Sequence, residues 1–85
     1  MRPANTQQQP DARPGNYYIT IVRGHDYRCL AGPFRDDHAG ALALVGKARD
    51  IACALDPRAH FDAFGTARLP DGYTRPGILN PQLGL

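Results

Sequence analysis

The residues of this chain best suited to hold a metal are His25, His38, His60, Cys29 and Cys53. Zinc-type sites draw ligands in close pairs, C-x-x-C or H-x-x-x-H, so that one turn or helix face presents two donors together. No pair here has that spacing, and neither a metal nor another cofactor is expected. A second chemistry is offered by His60 and Asp62, which on a strand would share a face and let the carboxylate orient the imidazole for proton transfer. Such a dyad also needs a nucleophile or a substrate pocket, and one helix on a small sheet leaves little room. The expectation is therefore a protein that is not an enzyme.

Arginines form the third set. Arg23, Arg28, Arg35 and Arg68 would make a basic rim, joined by Arg49 and Arg58, with Tyr18 and Phe64 as surfaces on which bases stack. Asp26, Asp36, Asp37, Asp50, Asp56 and Asp62 interleave with them and cancel much of the field. Ten basic and eight acidic side chains leave a net charge of only +2. Nucleic-acid binding is thus the alternative reading, behind protein binding. Gly32-Pro33-Phe34 lacks the glycine pattern that cradles phosphate.

The elements that must position these groups follow from local patterns. Residues 1–15, with their Gln and Pro, have little to bury and are expected to form a flexible arm. "NYYITIVR" supplies aromatic and β-branched residues for a strand from Tyr17 to Arg23. Gly24 permits a tight turn into a second strand, "YRCLAG", which Pro33 should end for want of an N–H. Asp36 or Asp37 can cap a helix running to Leu55, whose apolar stripe is Ala41, Leu44, Val45, Ala48, Ile51, Ala52 and Leu55. His38, Lys47, Arg49 and Asp50 fall on its other side, and Pro57 fixes its end. A third strand is expected over His60 to Ala67, followed by a "PDG" turn and an irregular tail over residues 69–85.

The predicted fold class is α+β, with order β-β-α-β over residues 16–68. A right-handed crossover with the first strand in the middle gives a three-stranded antiparallel sheet in order 2-1-3, one helix lying on one face. The competing arrangement puts strand three beside strand two. No apolar run is long enough to span a bilayer, and the first residues lack a signal-peptide core, so no membrane is expected as partner and a cytoplasmic location in a bacterial host cell is. The two cysteines are expected to stay reduced.

Two resemblances bear on function. "YRCLAGPFRDDHAGALALVGKA", from Tyr27 to Ala48, resembles a sporulation-related (SPOR) repeat, in which a strand ending in Gly-Pro-Phe precedes an Ala- and Leu-rich helix. It implies shared local geometry; the glycan binding of that family is not carried over, because its second strand-helix half is missing. "NYYITI", "LAGPF" and "DPRAHFDAFGTARL" are similar to small proteins encoded in phages and prophages of proteobacteria. That resemblance implies an accessory protein that binds and modulates or inhibits a host protein, and it assigns no functional residue.

A partner surface is expected where apolar residues outnumber their cover. With the helix placed over Ile19, Ile21 and Phe61, the opposite face would present Tyr18, Thr20, Val22, Leu30 and Phe64. A second copy, a host protein or the chain's own tail should cover it, and a homodimer is the leading expectation for so small a core.

Overall fold

The computed structural model describes residues 10–85. Three antiparallel strands, β1 (Asn16–Arg23), β2 (Asp26–Arg35) and β3 (Ala63–Leu69), form one sheet in order β2-β1-β3. Helix α1 (His38–Leu55) packs on one face, and a second helix of a single turn, α2 (Asn80–Leu83), follows β3. The fold is α+β with the expected strand order. Among the described residues no helix is long and apolar enough to cross a membrane.

Local chemistry sets the element ends. Gly24, at φ +60°, makes a two-residue turn that leaves Arg23 opposite Asp26. Asp37 caps α1 by accepting from the Gly40 N–H at 2.9 Å. At the other end Asp56 is extended, as the following Pro57 requires. The helix lies close because its buried face is small: Ala41, Ala48, Ala52 and Cys53 meet Tyr17 and Ile19 of β1.

Four local expectations are corrected. Pro33 does not end β2; the strand runs on to Arg35 through a cis Gly32-Pro33 bond, with β2 bulging by an extra residue at Leu30 and again near Pro33. His60 and Phe61 are not in β3, because Pro57–Phe61 forms a 3-10 helix that Asp56 starts by accepting from the Arg58 N–H at 3.1 Å. Leu55 is 64% exposed instead of buried. His38, placed on the polar side by its type, is buried: its ring stacks on Tyr17 at 4.7 Å with planes 14° apart. Positions 38, 41, 45, 48 and 52 run at steps of three and four, so His38 opens the inward stripe.

Both ends of the described chain are tied to this frame. Residues 1–9 of the expected arm lie outside the described residues, whereas the Asp11 N–H donates to His38 Nδ1 at 2.6 Å and the Tyr17 hydroxyl to the Arg13 carbonyl at 2.6 Å. Gly15 and Asp36 exchange two bonds, Asp36 N–H to Gly15 carbonyl and Gly15 N–H to the Asp36 carboxylate. Beyond β3 the tail turns at Pro70 and crosses the face away from α1. There Asn16 Nδ2 donates to the Tyr73 carbonyl and the Tyr18 hydroxyl to the Arg75 carbonyl, at 2.9 and 2.7 Å. It then joins the outer edge of β2: Gly77, Ile78 and Leu79 N–H groups donate to carbonyls of Gly32, Cys29 and Leu30. Asn80 completes the seam, its amide both accepting from the Gly32 N–H and donating to the Gly32 carbonyl. The tail expected to be irregular thus acts as a short companion to β2.

Candidate functional site

Among the described residues two concavities stand out, one on each side of the sheet. The first exists because the β1–β2 hairpin reaches past the end of α1, while the 3-10 helix doubles back to start β3 at Ala63, opposite Val22. Ile21 and Leu30 from the sheet, Ala52 from α1 and Ala59 from the 3-10 helix form its apolar floor. Leu55 and Ile78 stand beside it, 64% and 57% exposed, and the volume is about 220 Å³.

One end of this groove is rigidly held. Arg23 Nε donates to both Asp62 oxygens at 3.0 and 2.9 Å, and its Nη2 to Asp62 at 2.6 Å and Asp56 at 3.2 Å. Asp62 and then Asp56 raise the Arg23 guanidinium above its ordinary pKa. The Asp56 carboxyl is held at about 2, first by the Arg58 side chain, then by the Arg58 N–H, with Arg23 adding to them. These charges neutralise one another. Arg28 and Asp26, also at the rim, make no hydrogen bond through their side chains among the described residues.

The second concavity lies on the face crossed by the tail. Tyr27, Arg28 and Cys29 of β2 meet Tyr73, Arg75 and Pro76 across a hollow of about 430 Å³. No carboxylate lines it, and it holds two guanidinium groups. Tyr27 is 49% exposed, and burial first, then Cys29, raises its phenol.

The residues expected to form one partner surface are divided between these faces. Tyr18, Thr20 and Val22 lie away from α1, but Tyr18 and Thr20 are buried, at 0% and 5% exposure, with Tyr73 edge-on to Tyr18 at 5.4 Å. Leu30 and Phe64 lie on the α1 side: Leu30 is in the core and Phe64, opposite Ile21, packs against it. The two-residue turn pairs Ile21 with Arg28, so Leu30 falls on the α1 face by plain alternation and the bulge then brings Ala31 to that face too, while Phe64 joins it by pairing with Ile21. Phe61, expected under α1, is 92% exposed.

The arginine rim is likewise not assembled. Arg23 is engaged by Asp62 and Asp56, Arg35 lies 4.0 Å from Asp36, and Arg68 donates to the Pro14 carbonyl at the far end of the sheet. Only Arg28 of that set lines the hollow, joined by Arg75. Asp62 pairs with Arg23 and so does not orient His60. Among the described residues no three His, Cys, Asp or Glu side chains converge as a metal site would need, and Cys29 and Cys53 are free thiols. Ile78, with Leu79, Leu83 and Leu85, is expected from the sequence as a docking residue of the tail, whereas Tyr73 and Arg75 are not, an aromatic and a cation inside a Pro/Gly segment being their only signal. The chain matches no family model, no curated protein and no solved structure.

Proposed function

We propose that this protein is a small non-enzymatic module that docks on another protein through the groove between the hairpin and the end of α1. The observation that carries the reading is an apolar floor flanked by two largely exposed aliphatic side chains, Leu55 and Ile78, with Arg23, Asp56 and Asp62 paired among themselves at one end. Such a site gains by taking one large apolar side chain from a partner, while the paired rim excludes water without demanding a charged ligand. The similarity to phage and prophage proteins makes a host protein the natural class of target, with inhibition or modulation as the outcome.

Selection of a random peptide library on the immobilised protein tests it. Enriched peptides should share an apolar anchor and lose binding to Leu55→Glu, a change at an exposed site that leaves the circular dichroism unaltered. Failure to enrich any peptide, or equal retention by Leu55→Glu, would refute the groove as the docking site.

A second reading rests on the carboxylate-free hollow, where Tyr27 and Tyr73 offer rings and Arg28 and Arg75 offer charge to single-stranded nucleic acid. Fluorescence anisotropy with single-stranded DNA and RNA at low and physiological salt decides it. Affinity that falls steeply with salt and is lost in Arg28→Glu and Tyr73→Ala favours this reading over the first.

A further inference from the structure

The two edges of the sheet are treated differently. The outer edge of β2 is occupied by Gly77 to Asn80, which take up the backbone groups of Cys29, Leu30 and Gly32. The outer edge of β3 receives no backbone hydrogen bond from any described residue beyond its ladder with β1. An open strand edge usually carries a device against pairing: a proline, a bulge, an inward charge, or a lysine. Ala63 to Leu69 has no proline, bulge or lysine, the one cation on its α1 side being drawn away from the edge onto Gly15 and the Pro14 carbonyl, and its register against β1 runs without a shift from Val22 to Asn16. Its single charge is Arg68, near the end.

We infer that β3 is a self-association edge: a second copy of this chain pairs its own β3 antiparallel to the first, making a continuous six-stranded sheet. The strand is self-complementary when the two-fold axis passes through Thr66, the centre of the segment. All seven residues then pair, Thr66 with Thr66 of the second copy, Gly65 with Ala67, Phe64 with Arg68, and Ala63 with Leu69. Arg68 thus meets an aromatic ring and not its own charge, and Thr-Thr and cation-aromatic neighbours are favourable cross-strand partners. The axis stands perpendicular to the sheet, which keeps both α1 helices on one side, as antiparallel pairing of like faces requires. Phe61, almost fully exposed just before β3, comes to the strand end where Leu69 and Pro70 of the second copy lie. This surface is distinct from the docking groove, so dimerisation and peptide capture can succeed or fail separately.

Sedimentation equilibrium on the full chain across a concentration series tests the inference. The expected result is a reversible shift from 9.3 kDa to twice that mass. Gly65→Lys places two like charges diagonally across the pair and should weaken association about tenfold or more. A Cβ at Gly65 meets nothing within 4 Å, so that variant keeps its thermal stability as a monomer. In a Cys29→Ser background, Thr66→Cys gives up the hydroxyl bonded to His38 and some stability with it, but should still oxidise to a disulfide-linked dimer, because only the axial residue faces itself, whereas Ala63→Cys should not. A strict monomer throughout, or a dimer that Gly65→Lys leaves intact and Thr66→Cys fails to trap, would overturn the proposal.

Discussion

Gly77 lies against Ala31 so closely that a Cβ at position 77 would overlap the Ala31 backbone nitrogen and Cα and the Leu30 carbonyl carbon. The tail is therefore packed flush on β2, and both Gly77 and Leu79 are buried there.

Gly77→Ala should force the tail off β2. The obstructing atoms are backbone, which cannot rotate aside, so a loss of roughly 1–3 kcal/mol is expected, read from urea unfolding. Tyr18→Phe, which removes the donor to the Arg75 carbonyl but keeps the ring against Tyr73, should cost only about 1 kcal/mol. Equal effects from the two variants would mean that the tail is not held by close packing.

His38 should be a neutral ring with its proton on Nε2. The Asp11 N–H donates to Nδ1, so Nδ1 carries the lone pair and the Nε2 proton goes to Thr66 Oγ1 at 2.7 Å. Long-range 15N correlation of the imidazole reads this tautomer directly. His38→Phe keeps a ring on Tyr17 but strands the Asp11 N–H and the Thr66 hydroxyl, for a loss of roughly 1–3 kcal/mol.

Much of the frame was legible because its causes are local. Asp37 stands where a cap must stand, Pro57 stops α1 one residue earlier by its own ring, and Gly24 closes the hairpin. What could not be read is parity. The face of Leu30 depends on the length of the turn at Gly24, and that of Phe64 on the register it takes against Ile21 once a 3-10 turn has removed Phe61 from the strand, and no residue marks either choice locally. The tail was one of the covers expected for the Tyr18 face, but its seat on the edge of β2 could not be read, because Gly77 and Asn80 make sense only once that edge, far away in sequence, is present to receive them. Consequently the groove, walled in part by Ile78, was invisible as a site.

Acid should loosen the end of α1 over a defined window. Asp56 has a folded pKa of about 2 against an ordinary 3.8, a depression, so its contribution to stability is complete above that ordinary value and is lost as pH falls towards 2. Asp11, held at about 2 chiefly by the Arg13 side chain, acts in the same window and sign. The urea midpoint measured from pH 5 to pH 2 should fall most steeply below about 4, and Asp56→Asn should flatten that fall.

Arg23→Lys should destabilise nearly as much as Arg23→Ala. A lysine cannot present two nitrogens to Asp62 while also reaching Asp56, and the Asp62 carboxylate, 5% exposed, would keep an incomplete partner. Thermal melts of both variants beside Arg58→Ala, whose partner is the more exposed Asp56, give the comparison. A melt for Arg23→Lys matching the parent would show that a point charge suffices.

The seam between Asn80 and Gly32 has a kinetic corollary. Its partners are 48 residues apart in the chain, whereas the β1–β2 hairpin that offers the docking edge closes over a two-residue turn. Closing the longer loop costs more entropy and needs β2 already in place, so the hairpin precedes the seam in time. Interactions made after the barrier alter escape from the native state and leave the approach to it unchanged. Asn80→Ala should therefore steepen nothing in refolding and instead raise the unfolding rate, turning these last contacts into the latch that sets how long the molecule stays folded.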